Sequence, residues 1–231
     1  MAAGIEEKLL MDIIINPEVI PHYVSYAFLA SAILIVVALV IRKSAKLVPT
    51  GIQNFVEIIA ETMLKLSEDT IGHHWGRTFF PLISTIFIFI LTCNMMGLIP
   101  GFDCPTANIN TNAAMAVPVF LIYQFYGLRI HGIKYINHYL GPMRSLPALP
   151  LMIMMFFIEL IGHFVRPVTL TIRLFGNMTA KHMLLFVLGL MVPAVIPVLI
   201  LVLGLLVSVI QAYVFALLTT AYIAGAVEEA H

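Results

Sequence analysis

From residue 147 to residue 227 the chain carries only four formally charged side chains, Glu159, Arg166, Arg173 and Lys181, in an otherwise almost unbroken apolar sequence. The apolar residues run continuously and do not alternate with polar ones, which excludes the period-two pattern of a membrane β-barrel. Backbone N–H and C=O groups in hydrocarbon must be satisfied within the segment, and a continuous apolar run does that only as a helix. Composition agrees: 61% of the residues are hydrophobic and 10% charged, against about a quarter charged in soluble domains. The reading is an all-α integral membrane protein.

Runs long enough to cross about 30 Å of hydrocarbon fall at 23–41, 79–99 and 114–130, followed by two longer ones at 147–190 and 193–227. The last two exceed a perpendicular span, so they are expected to form a long tilted hairpin. Pro147, Pro150 and Pro167 punctuate its first arm; Pro193 and Pro197 mark its turn. Residues 52–71 differ. Phe55, Ile58, Ile59, Thr62, Met63 and Leu66 recur at helical spacing, and Glu57, Glu61, Lys65 and Glu68 lie elsewhere on the wheel. This pattern predicts an amphipathic helix lying at the membrane interface. The whole chain, 1–231, is thus one membrane domain with five spans and one interfacial helix.

Cations orient such a chain. Arg42, Lys43, Lys46, Lys65, Arg77, Arg129, Lys134 and Arg144 all fall on one side of a five-span path, and the loops 100–113 and 190–198 contain no Lys or Arg. That places the N-terminus outside and the C-terminus in the cytoplasm. The acidic start, with Glu6, Glu7 and Asp12, has the wrong charge for a cleaved signal segment. Zero net charge gives no basic surface for nucleic acid. Cys93 and Cys104 are read as structural, since a metal site needs more ligands at regular spacing. No cofactor or metal is expected.

The polar residues of the fourth run share one side. At 100° per residue, Glu159, His163, Arg166, Arg173, Asn177 and Lys181 fall within an arc of about 80°. Arg166 and Lys181 have an alternative reading as side chains snorkelling to opposite interfaces. Arg173 does not, because it lies seven or eight residues from each. Arginine stays protonated, and a charge at mid-bilayer depth costs between ~2.5 and ~17 kcal/mol, so Arg173 marks a functional site. The last run carries a thinner polar side, Gly204, Ser208, Gln211, Thr219 and Tyr222. Gln211 reads equally as an ion-transfer residue or as a helix–helix hydrogen bond. Glu159 is the sole acid in a span after residue 22. One acid and one fixed cation do not complete a proton relay, so a titrating partner for Arg173 is expected on another polypeptide. A stand-alone solute transporter using Arg173 as an anion anchor is the alternative; a haem protein is disfavoured, because His163 and His182 are too far apart for a usual ligand pair.

The segments Arg173-Leu-Phe-Gly-Asn-Met-Thr-Ala, Arg166-Pro-Val, Gln211-Ala-Tyr-Val-Phe-Ala-Leu-Leu-Thr, Asn94-Met-Met-Gly-Leu-Ile-Pro100 and Ala107-Asn-Ile-Asn110 resemble subunit a of the F-type ATP synthase, over nearly the whole chain. The resemblance implies a stator subunit, non-catalytic by itself, packed against a rotating ring of c subunits and joined to peripheral-stalk b subunits, in a bacterial inner membrane. It implies that Arg173 is the essential cation that favours ionisation of each arriving c-ring carboxylate. By position, Glu159 matches the acid of the cytoplasmic half-channel, with His163 beside it. Asn177, His182 and Gln211 match outer half-channel positions, and Asn108 and Asn110 its entrance. The chain departs from the family at His182, at Asn108 and at Gly204, where members often carry an acid, an acid, and a His or Glu. His182 is therefore expected to titrate in the outer channel, with water filling the space beside Gly204.

Overall fold

A computed structural model describes residues 21–44, 51–99, 101–132, 149–191 and 195–227. Lys8, Lys46, Lys134, Arg144, Pro147, Pro193 and the 228–231 tail lie outside the described residues. The described chain is helical: α1 (His22–Ser44), α2 (Ile52–Ile71), α3 (His73–Met96), a short 3-10 turn (Pro105–Ala107), α4 (Ile109–His131), α5 (Leu149–Met191) and α6 (Val195–Val227). Five of the six α-helices, all but α2, are long and apolar enough to cross a membrane. The protein is a multi-pass, all-α membrane protein.

At about 1.5 Å per residue, the 43 residues of α5 extend some 65 Å and the 33 of α6 some 50 Å. Both exceed a 30 Å hydrocarbon layer, which a helix of that length fits by tilting or by projecting beyond it. Their outer faces remain open: Ile153, Ile161, Val168, Ile172, Val187, Val202 and Leu206 are exposed large apolar residues. The core sits on the other side, where α3, α4 and the inner sides of α5 and α6 meet around Phe79, Ile83, Phe87, Ile90, Val119, Tyr123, Leu174, Met178, Phe215 and Ile223. The hairpin therefore leans on α3 and α4 with one face and offers the other outward.

The amphipathic α2 folds back on α3 through Gly72, whose φ of 91° suits glycine. Just beyond, Gly76 lets the backbones touch: a methyl there would come within 2.9 Å of Glu68 Cα. The Ser67 hydroxyl donates to the Gly76 carbonyl at 2.8 Å, and Arg77 Nε donates to Glu68 Oε1 at 2.8 Å. That guanidinium holds the Glu68 carboxyl below its ordinary value. The apolar side of α2 is divided along its length. Met63 is buried, with Ile59 and Leu66 packed against the core, while Phe55 and Ile58 near its start stay exposed.

Candidate functional site

The polar stripe of α5 straddles the boundary between its covered and open faces. Relative to Glu159, helical geometry puts His163 and Lys181 at about +40°, Asn177 at about 0°, Arg166 at about −20° and Arg173 at about −40°. Burial follows the same order. His163 and Lys181 are buried, Glu159, Asn177 and Arg166 are half-buried, and Arg173 is exposed. One edge of the stripe thus faces the chain's interior, and its central cation faces away.

Towards the α5 N-terminus the stripe forms a cluster around His163. Pro167 has no N–H, so the carbonyl four residues earlier, that of His163, loses its helical donor. Tyr123 of α4 supplies the replacement: its hydroxyl donates to the His163 carbonyl at 3.3 Å and lies 3.4 Å from His163 Nδ1. Glu159 Oε1 lies 3.5 Å from His163 Nε2, one helical turn away. Arg166 Nη1 lies 3.5 Å from Nδ1. Its guanidinium sits 5.2 Å above the Tyr222 ring of α6, a cation–π contact that suits an arginine out of water. Arg166 is thus engaged in a cluster instead of simply snorkelling. Tyr123 was not singled out in the sequence. The signal that would have found it is Pro167, which guarantees an unpaired carbonyl at His163.

Some ten residues further along, about 15 Å by helical rise, Arg173 and Gln211 line one groove between α5 and α6, with Leu170, Leu174, Val214 and Phe215 as its other walls. Arg173 forms no hydrogen bond or ion pair with another described residue. Among the described residues the nearest acid of its own helix is Glu159, fourteen residues away and already paired with His163.

Towards the other end, the space beside Gly204 is occupied. A methyl at Gly204 would lie 2.9 Å from Lys181 Cδ and 3.1 Å from Leu98 Cδ2. The lysine stem, instead of water, fills the notch left by the missing side chain, which corrects the expectation of open space there. Lys181 does not snorkel either: it is 6% exposed, and its Nζ finds no hydrogen-bond partner among the described residues. His182 is half-buried beside Gly97, where a methyl would come within 3.4 Å of its Nε2 and 2.9 Å of Cys104 Sγ. Next to it lies a buried polar network. Thr106 donates to Asn94 Oδ1 at 2.6 Å, Asn112 Nδ2 to the Thr106 carbonyl at 2.8 Å, and Asn94 Nδ2 to the Ser208 carbonyl at 3.3 Å. Cys104 Sγ contacts Thr106 Oγ1 at 3.0 Å, and burial pushes its thiol above the ordinary range. Cys93 and Cys104 are both free and buried.

Asn108 accepts from Asn110 N at 2.9 Å and caps α4, and the exposed Asn110 Nδ2 donates to Tyr23 Oη at 3.4 Å. The structure therefore brings Glu159 and His163 together, Arg173 and Gln211 together, and His182 near the start of the 3-10 turn. It leaves these three groups at successive levels of one hairpin. No three His, Cys, Asp or Glu side chains converge as a metal site among the described residues.

The chain matches the family model described as ATP synthase A chain over residues 24–224. It is 48% identical to an ATP synthase subunit a of Geotalea uraniireducens over 90% of this chain and 88% of the relative. It is 49% identical to an ATP synthase subunit a 3 of Pelobacter propionicus over the same shares of both chains. An ATP synthase subunit a of Geobacter sulfurreducens is 45% identical, again over 90% of this chain and 88% of its own length.

Proposed function

Because the chain belongs to the ATP synthase A chain family, we propose that it is the stator of the membrane sector, coupling proton flow to rotation of a ring of c subunits, each bearing a carboxylate. It makes no covalent chemistry of its own; ATP is made or split in a separate soluble sector. One observation carries this reading. Arg173 stands exposed on the open face of the tilted hairpin, amid exposed apolar side chains and without an ion-pair partner among the described residues. A cation in that position needs an anion brought to it from outside the chain.

The three levels then divide the work. A guanidinium within about 4–6 Å favours the ionised form of an arriving carboxylate. The released proton leaves through a cytoplasmic half-channel at Glu159 and His163. Past Arg173 the carboxylate is reprotonated from an outer half-channel that Asn177, His182 and Gln211 serve and Asn108 and Asn110 open to the outside. Arg173 does not titrate, so it blocks direct proton passage between the half-channels. Each proton crossing delivers about 2.3 kcal/mol per 100 mV. Peripheral-stalk b subunits hold the chain still. The N-terminus faces outside and the C-terminus the cytoplasm of a bacterial inner membrane.

A cysteine introduced at Ile172, which is exposed beside Arg173, tests the placement. Paired with a cysteine on the outer helix of the c subunit near its carboxylate, it should form a disulfide on oxidation and stop ATP-driven pumping, with recovery on reduction. Failure to cross-link at any register of that helix would contradict the proposed face.

A further inference from the structure

We infer that Arg166 and Tyr222 form a clasp between the two arms of the hairpin, and that this clasp fixes the rotation of α5 about its axis and with it the direction in which Arg173 points. Both are positioning residues. The inference rests on the reading of Arg173 as the cation that meets a c-subunit carboxylate, and adds what aims it.

Arg166 precedes Arg173 by seven residues, about 20° short of two full turns and about 10.5 Å of helical rise. The two arginines therefore lie on the same side of α5. Gln211 and Tyr222 are eleven residues apart on α6, about 20° beyond three turns, so they too share a side. The arms face each other at two levels: Arg173 and Gln211 across one groove, and Arg166 with its guanidinium 5.2 Å from the centre of the Tyr222 ring. Arg166 has no ion pair with an acid among the described residues. The other polar contact of its guanidinium among them is His163 Nδ1, at 3.5 Å on its own helix. What ties this cation to α6 is the tyrosine ring.

The platform under the arginine is firm. Ile223, Ala226 and Val227, next to Tyr222, are buried in the core that also holds Met63 of α2 and Phe79 of α3. Beside Arg166, by contrast, α5 exposes Phe164, Val165 and Val168. Apolar packing sets the rotation of such a helix only weakly in a membrane, because lipid tails are as apolar as the buried Leu170 and Leu174. A cation is drawn to the negative face of an aromatic ring, and hydrocarbon offers no substitute for that face. The contact therefore holds α5 at one rotation. One continuous helix joins Arg166 to Arg173, so a turn that took Arg166 off Tyr222 would carry Arg173 with it.

The experiment uses the intact ATP synthase complex carrying Ile172→Cys and a series of single cysteines along the outer helix of the c subunit. Disulfide yield on oxidation gives a profile; ATP-driven pumping is measured on the reduced complex. Tyr222→Leu removes the ring. It should shift the position of maximum yield or spread it over neighbouring positions, and slow pumping several-fold; an unchanged profile would overturn the clasp. Tyr222→Phe keeps the ring and should keep the profile; a shift as large as that of Tyr222→Leu would assign the effect to the hydroxyl and overturn it too. Arg166→Gln should reproduce the profile of Tyr222→Leu, and Arg166→Lys, which keeps a cation, should pump faster than Arg166→Gln. Tyr222→Leu added to Arg166→Gln should change nothing further, and additive losses would contradict the clasp. If the Tyr222→Leu complex fails to assemble, the profile of Arg166→Gln decides: unchanged, it overturns the clasp. Absence of cross-linking at every position before any change at Arg166 or Tyr222 would instead sink the reading of Arg173 itself.

Discussion

Replacing Gly204 by alanine probes the lysine stem that fills its notch. The added methyl would sit 2.9 Å from Lys181 Cδ, 3.1 Å from Leu98 Cδ2 and 3.6 Å from Lys181 Cγ. Carbon–carbon contacts are optimal at about 3.5–4.0 Å, so the two nearest atoms must retreat by several tenths of an ångström. Gly204 itself is buried, which leaves the stem little free space. Overpacking of this kind costs about 1–3 kcal/mol, while alanine in a helix interior gains about 0.5–1 kcal/mol over glycine. The net expectation is a loss of about 1 kcal/mol. In a Lys181→Ala background the closest atom is gone and the helix preference remains, so the same substitution should become neutral or stabilising. The two sites would then couple by about 1–2 kcal/mol, beyond the 0.5 kcal/mol scatter of independent sites. Reversible unfolding of the four proteins in mixed detergent micelles, followed by circular dichroism, measures this cycle. Additive effects, or an alanine that stabilises equally in both backgrounds, would refute the packing of Lys181 over Gly204.

Tyr123→Phe should cost about 1–3 kcal/mol, because it removes the hydroxyl that donates to the His163 carbonyl; in a Pro167→Ala background, where the helical N–H returns, most of that loss should vanish in the same unfolding assay. Cys104, buried and with its thiol raised by burial, should resist maleimide in the intact complex at neutral pH and react after denaturation, as read by mass spectrometry. The Glu68–Arg77 pair pins α2 to α3. Its folded carboxyl is lowered from 4.5, so its contribution is complete above that value and is lost as pH falls through the lowered one. Arg77→Ala should return the Glu68 carboxyl towards its ordinary titration by infrared spectroscopy, with the difference from the unmodified protein confined to that acidic window.

Much of the architecture was legible from apolar run lengths, because hydrocarbon leaves helices as the means of satisfying a continuous apolar backbone. The two long final helices, α5 and α6, followed from the length of the last two apolar runs. The stripe on α5 followed from periodicity, and its arc was narrow enough to show that Glu159 and Arg173 share a side. What periodicity does not carry is which edge of an arc is covered. That depends on how α4 and α6 pack on α5, and it separates the exposed Arg173 from the buried His163 and Lys181. The same limit applies at Gly204. A missing side chain reads as open space in a sequence, and here a stem from the neighbouring helix fills it. The amphipathic pattern of 52–71 located a helix with an apolar side, but its division into a packed portion at Met63 and Leu66 and an exposed portion at Phe55 and Ile58 comes from the turn at Gly72 and Gly76. Asn108 shows another such case: its side chain caps α4, a local role that its loop position does not distinguish from a channel entrance.

The most direct test of Arg173 as the cation that meets a mobile carboxylate is Arg173→Ala in the assembled complex, with ATP-driven proton pumping and passive proton leak measured on the same membranes. The expected result is normal assembly, pumping reduced to background and a higher leak, since the fixed charge that separates the half-channels is gone. Coupled pumping retained at the level of the unmodified complex would contradict the central role of Arg173.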